Sequence, residues 1–314
     1  MRLFSGKCTS SARLDGKTAI VTGSNTGIGK ETVKDFFLRG ARVLMLCRNT
    51  EKAQEAAEDI KKQCTGKTGL GEIVVEELDL SSLKSIKTCA EKVKNNEDRI
   101  NILVNNAGVM MCPLTRTEDG FEMQFGTNHL GHFYLTLLLL PKIIKSAPAR
   151  IVNVSSLAHN RGQMNFDDLN WEKRNYSAVG AYGQSKLANI LFTKELARRL
   201  QEAGIQDVTV YSLHPGVIDT ELGRHLDSTY VRGINFVWKY LLSWFMKTPL
   251  QGAQTSIYCA VDEKAEKQTG LYYSDCEAIE PTNAAKNMED AKKLWEQSWK
   301  LVNLPEDYNP FKAN

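Results

Sequence analysis

Seven short runs of apolar, largely β-branched residues recur along the chain, at 18–21, 43–46, 73–75, 102–104, 151–154, 208–213 and 271–273. Between them lie stretches such as KETVKDFFLRG and EKAQEAAEDIKKQ, whose apolar or small residues return every three to four positions. Strands that alternate with helices need crossover connections, and so predict a parallel sheet covered on both faces. No Pro/Gly/Ser-rich linker divides the 314 residues. The expectation is one α/β domain over residues 15–303, with loose termini at 1–14 and 304–314. Two stretches break the rhythm: the polar, loop-like 157–180 and the aromatic-rich 219–249. Both follow late strands, where an open parallel sheet places its binding crevice.

Directly after the first apolar run comes TGSNTGIGK, residues 22–30. In a parallel sheet the first strand-to-helix turn aims backbone amides and the positive helix end into the crevice. Gly23 suits a tight turn, Gly27 close approach of a pyrophosphate, and Gly29 packing of the helix on strand one. Asn25, Thr26 and Ile28 fill the same turn and join the candidate contacts. The spacing is G-x-x-x-G-x-G rather than the usual G-x-G-x-x-G, but a strand precedes it and a helix follows, as the dinucleotide reading requires. The fold expected is therefore a Rossmann-type, doubly wound domain of about seven mostly parallel strands with helices on both faces.

The end of the second run distinguishes the two dinucleotides. An NAD site places Asp or Glu there for the ribose 2′-hydroxyl, whereas this chain reads LMLCRNT, with Arg48 and Asn49 and no acid before Glu51. A carboxylate would repel a 2′-phosphate, and a guanidinium can fork onto it. NADP(H) is the expected cofactor, with Asn25 and Lys30 as helpers. Asp79, with Leu80 beside it in ELDLSS, is a candidate for the adenine amino group. Its neighbour Ser81 reads equally as a helix N-cap.

The chemistry points to AYGQSK on the helical stretch 181–200. Tyr182 and Lys186, four apart, share a helix face. A phenol holds its proton to about pH 10. A cation about 4 Å away, at an effective dielectric of about 20, is worth about 4 kcal/mol, or roughly three pK units. The expectation is a tyrosine brought into working range for proton transfer. A Y-x-x-x-K pair alone usually marks only an exposed pair; here a cofactor turn lies upstream, and a strand ends in Ser155-Ser156 between them.

Together TGSNTGIGK, NNAG at 105–108, TNHLGHF, VNVSS, YGQSK and HPGVIDT resemble the short-chain dehydrogenase/reductase family over nearly the whole chain. NNAGVMMCP, NHLGHF, SAPARIVNVSSLAH, SKLAN and LHPGV resemble its retinol dehydrogenase/retinal reductase branch. The resemblance implies Tyr182 as general acid/base and Lys186 on the nicotinamide ribose. It implies Ser156 on the substrate oxygen, with Ser155 as the fallback one residue away. Asn128 would hold a water that links Lys186 to solvent. Asn106, Ala107 and Gly108 would line the cofactor wall; Pro215, Gly216, Val217 and Thr220 would reach its pyrophosphate or amide. The implied activity is NADP(H)-dependent interconversion of an apolar carbonyl and its alcohol, with all-trans retinal/retinol leading. Alternatives are a hydroxysteroid, lipid-aldehyde or xenobiotic carbonyl reductase, or a non-catalytic NADP-binding sensor or scaffold. A homodimer paired through the helices around Asn128 and Tyr182 is a further family-level expectation.

Other features bound the reading. A net charge of +3 without a long run of one sign argues against nucleic acid. Seven cysteines lack zinc spacing and suggest reduced thiols. His129 and His132 stand three apart, with no third metal ligand near in sequence, and no metal is expected. No run reaches the roughly 18 apolar residues of a membrane span, and MRLFSGKCTSSARLDGK offers neither signal nor anchor. The expected location is cytoplasmic, not secreted. Residues 231–246, apolar nearly all round, read as a substrate lid within 219–250, as a helix touching an intracellular membrane or a partner, or as core.

Overall fold

A computed structural model of the chain describes residues 5–218 and 247–312. The strands are β1 (Thr18–Thr22), β2 (Arg42–Cys47), β3 (Glu72–Glu77), β4 (Ile102–Asn105), β5 (Ala149–Val154), β6 (Val208–His214), β7 (Leu271–Ser274) and β8 (Glu277–Ile279). They form one sheet in the order β3-β2-β1-β4-β5-β6-β7-β8. All neighbours are parallel except β7 and β8. The strand order reverses between β1 and β4, which opens the binding crevice at the carboxyl ends of the strands.

The helices are α1 (Gly27–Leu38), α2 (Thr50–Gln63), α3 (Leu83–Asn96), α4 (Gly131–Lys145), α5 (Ala178–Glu202), α6 (Pro249–Val261) and α7 (Met288–Leu301). Alternate strand residues feed two apolar cores, one on each face. One joins Ile20, Leu44, Leu103 and Ile151 to α3, α4, α5 and α7. The other joins Val21, Val43, Val104 and Val152 to α1, α2 and α6. No helix of the described residues is long and apolar enough to cross a membrane.

Two differences from the sequence reading stand out. The sheet has an eighth strand: β7 and β8 form a hairpin through Asp275 and Cys276, both at positive φ (52° and 63°). All three residues of β8 are exposed, so no apolar run marks them.

The described parts of both termini are held, not loose. Cys8 and Leu14 are buried, the Cys8 N–H donates to Gln254 Oε1 at 3.1 Å, and Arg39 donates to Ser10 O and Ala12 O. At the other end Tyr308 donates to Leu137 O at 2.8 Å, and Phe311 stacks on Trp295.

The helices expected to pair with a second copy are α4 and α5. They are covered within the same chain by α7, whose Trp295 lies edge-on to Phe133 at 5.1 Å and beneath the Arg199 guanidinium at 4.5 Å.

Candidate active site

β1 delivers the chain to the glycine turn. Gly23 takes φ +61°, and a Cβ there would stand 2.7 Å from the Ala107 backbone. The turn and the loop after β4 are tied together by Thr22 and Asn106. Thr22 Oγ1 accepts the N–H groups of Asn106 and Ala107 at 3.0 and 2.9 Å. Asn106 Nδ2 donates to Thr22 O and Gly23 O. Gly29 packs against this turn and Asn106 rather than against strand one.

α1 starts at Gly27 from an extended Thr26 whose side chain makes no cap bond, and its first turn carries no acid. Its leading N–H groups, including that of Ile28, therefore have, among the described residues, neither a side-chain cap nor a first-turn carboxylate, which suits a pyrophosphate. Across the crevice a Cβ on Gly108 would stand 3.2 Å from Asn128 Oδ1 and 3.6 Å from Lys186 Nζ. The bare glycine keeps that wall open. An uncapped helix end opposite a glycine-lined wall fits a dinucleotide.

At the end of β2, Cys47 is buried and takes the position where an NAD site holds its acid. Its Sγ accepts the Ser24 N–H at 3.3 Å, and the Asn25 backbone reaches the same thiol. Arg48 follows and is exposed. Asn49 is committed locally, accepting the Lys52 N–H at 2.8 Å as the cap of α2. Lys30 pairs with Asp59 at 2.5 Å. Asp79 Oδ1 accepts both the N–H and the hydroxyl of Ser81. The cap of α3 is therefore Ser82 and not Ser81, and Leu80 lies in the core.

The catalytic candidates converge where β5 ends against α5. Ser155 and Ser156 part company there. Ser155 is buried and donates to Lys186 O at 2.7 Å. Ser156 is half-buried, hydrogen-bonds Tyr182 and accepts the Ala158 N–H at 3.2 Å. Lys186 Nζ donates to Val154 O at 3.0 Å and lies 5.7 Å from the centre of the Tyr182 ring.

Their acidities run opposite to the sequence expectation. Burial pushes the Tyr182 phenol up to about 12, opposed only by its bond to Ser156. Burial brings the Lys186 ammonium down to about 8. Desolvation is the leading cause of both shifts, and Lys186 Nζ gives its 3.0 Å hydrogen bond to Val154 O rather than to the phenol.

Asn128 lies in a π-helical turn, Gly126–Leu130, ahead of α4. Its amide accepts from Val109 N and donates to Val109 O and Ser185 Oγ. The side chain thus braces the loop after β4 against α5, since Ser185 Oγ in turn donates to Tyr182 O at 2.8 Å. Of the late-loop candidates, Pro215 is buried, Gly216 has φ +101° and Val217 is exposed. Thr220 and residues 231–246 lie outside the described residues.

Sequence reasoning passed over Thr22 and Ser185, and weighed His132 only as a metal ligand. Thr22 and Ser185 sit inside the motifs themselves. His132 Nε2 meets Thr22 Oγ1 at 2.8 Å, and its Nδ1 meets Asn128 O at 3.0 Å. Its spacing of four from Asn128 on one helical run was the available signal. The neighbouring His129 turns instead to Ser298 Oγ at 2.9 Å.

Comparisons with known proteins agree with this geometry. A family model described as short chain dehydrogenase matches residues 17–230. Retinol dehydrogenase 11 of Homo sapiens is 51% identical over 305 residues, covering 97% of this chain and 92% of that protein. Retinol dehydrogenase 13 of Homo sapiens is 50% identical, over 95% of this chain and 88% of its own. The crystal structure of an uncharacterised protein from Mycobacterium paratuberculosis is similar with a TM-score of 0.76 and 33% identity, covering 97% of this chain and 100% of that one. With the fold, the glycine turn and this match in hand, the chain belongs to the short-chain dehydrogenase/reductase family and is an oxidoreductase of the nicotinamide-cofactor class.

Proposed function

We propose that the protein interconverts an apolar aldehyde or ketone and its alcohol with NADP(H), and that all-trans retinal and retinol are the pair it handles. The observation that carries the chemistry is the meeting of Ser156, Tyr182 and Lys186 at the carboxyl end of the sheet. Support for NADP(H) comes from exposed Arg48 at the end of β2, where no acid stands to repel a 2′-phosphate. Support for a retinoid comes from relatives named retinol dehydrogenase that are about half identical along nearly their whole length. Leu114, Leu157 and Val217, all exposed, follow the carboxyl ends of β4, β5 and β6 and offer apolar surface on that side of the sheet.

The residues that would hold the dinucleotide are the turn 23–29 and the α1 end, Arg48, Asp79, the wall 106–108, Lys186, and the loop 215–217. When bound in reduced form, the nicotinamide supplies a hydride. The protein's part is placement and the proton. Ser156 Oγ donates a hydrogen bond to the substrate oxygen, and Tyr182 gives that oxygen its phenolic proton as charge builds there. A phenol held near 12 arrives protonated at neutral pH, as a donor must. In oxidation Tyr182 takes the proton back. Lys186, charged at neutral pH, stabilises the phenolate left behind and holds the ribose hydroxyls. The working location we propose is cytoplasmic, at the surface of an intracellular membrane where such a substrate dissolves.

Purified protein assayed with NADPH and with NADH on all-trans retinal tests both halves. Turnover with NADPH, lost in Tyr182→Phe, is expected. Equal use of the two cofactors would remove the Arg48 argument. Turnover of a steroid ketone or decanal, with none of retinal, would move the substrate to the other carbonyls.

A further inference from the structure

The peptide between Ser156 and Leu157 is gripped from both sides. Val154, the last residue of β5, is level with Leu213 of β6. The ladder continues one rung, with the Ser155 N–H donating to Leu213 O at 2.7 Å. The next rung falls on the Leu157 N–H, but β6 ends at His214. That N–H donates instead to the His214 side chain, at Nδ1, 3.2 Å away. On the opposite edge of the same peptide, Ser156 O meets His159 Nδ1 at 2.7 Å.

These partners fix both rings. A carbonyl oxygen only accepts, so His159 carries its proton on Nδ1; an N–H only donates, so His214 Nδ1 is bare. One peptide group is thus read by two imidazoles of opposite tautomer. Both rings are buried, at 2% and 5% exposure, and burial holds both below the ordinary histidine range. Tyr272 packs edge-on against His159 at 5.0 Å and sets its plane. The Leu157 side chain is 46% exposed, so packing of that residue does little to orient the peptide.

We infer that His159 and His214 are positioning residues that clamp the Ser156–Leu157 peptide and thereby aim the Ser156 hydroxyl at the substrate oxygen. The inference rests on the reading of Ser156 given above. A donor aimed at a developing charge must be held to about 0.5 Å, and displacement by about 1 Å is worth about a hundredfold in rate. Past β5 the chain's own course supplies one 3-10 turn, with the His159 N–H on Ser156 O at 3.1 Å and the Ala158 N–H on Ser156 Oγ at 3.2 Å. The two rings add a side-chain hold on each edge of the peptide.

The test compares His159→Leu, His159→Asn and His159→Gln, and the same three changes at His214. Asparagine places its polar atom near the Nδ1 position and glutamine near Nε2, so only asparagine can restore each bond. Reduction of all-trans retinal is followed at saturating NADPH, with decanal used if retinal is not turned over. The leucine and glutamine variants are expected to lose about tenfold or more in kcat with KM little changed. The asparagine variants should recover most of it. Faster amide exchange at Leu157 in His214→Leu, with NADPH binding intact, gives a readout independent of turnover.

Wild-type kcat in leucine variants that bind NADPH overturns the clamp. So does equal activity of the asparagine and glutamine variants, a comparison that decides the matter even if the leucine variants fail to fold. Ser156→Ala separates the two layers. If it keeps wild-type kcat, the reading of Ser156 fails. If it is inactive while the leucine variants are not, the clamp alone fails.

Discussion

Ser155 Oγ donates a 2.7 Å hydrogen bond to the carbonyl oxygen of Lys186, tying the end of β5 to the middle of α5. Ser155 is thereby committed to the backbone of α5, while Ser156 is the serine that acts on the Tyr182 phenol. Ser155→Ala is expected to lose about 1 kcal/mol of stability, the worth of one buried hydrogen bond, and to keep kcat within a few-fold. Ser156→Ala should lose about 1 kcal/mol with its cap bond to the Ala158 N–H, and roughly 10²–10³ in kcat. Steady-state kinetics beside urea unfolding distinguishes the pair; the reverse pattern in kcat would make Ser155 the substrate-binding serine.

Arg48 gives a cofactor prediction. Arg48→Asp replaces a cation suited to a 2′-phosphate with an anion suited to a ribose hydroxyl. KM for NADPH should rise about ten- to a hundredfold, the equivalent of about 1.5–3 kcal/mol for a charged hydrogen bond. KM for NADH should fall. Unchanged NADPH kinetics in the variant would take Arg48 out of the site.

Lys186 predicts a conflict between stability and activity. Its pKa falls from the usual 10.5 to about 8. Between those values the unfolded chain holds a proton that the folded chain lacks, so this group's contribution to stability rises with pH across the window. Below about pH 8 the folded protein carries the full penalty, on the order of 3 kcal/mol. Lys186→Met should therefore unfold later than wild type at pH 7 in the absence of cofactor, yet be inactive. Melts recorded from pH 7 to 10.5 should show the two proteins converge; a variant less stable than wild type at pH 7 would refute this.

Thr22 joins three groups at one oxygen. Its Oγ1 accepts two backbone N–H bonds, so its own proton goes to His132 Nε2, and His132 Nδ1–H then goes to Asn128 O. Thr22→Val keeps the shape and strands both N–H groups, at about 1–3 kcal/mol for each. A lower Tm and weaker NADPH binding are expected, with Thr22→Ser restoring both. A valine variant that melts and binds like the wild type would mean the loop after β4 does not depend on this oxygen.

Much of this molecule could be read before any coordinates. Parallel strands buried on both faces appear as unbroken apolar runs, which is why β1 to β7 stand out in the chain and the exposed β8 does not. The terminal segments escaped because Cys8, Leu14, Tyr308 and Phe311 are held by residues far away in sequence, with no local period to betray them. The choice between Ser155 and Ser156 needed a single rung of sheet register, the Ser155 N–H on Leu213 O. Spacing placed Tyr182 and Lys186 together but said nothing about their dehydration, and dehydration sets the direction of both shifts.

Trp295 sits where Phe133 of α4 and Phe192 of α5 would otherwise meet the outside. The molecule brings its own partner to that side. A second copy arriving there would meet the outer, charged surface of α7, and could reach Phe133 only by prising that helix off. The charged outer face of α7 is thus what that side of the molecule offers to anything that approaches it.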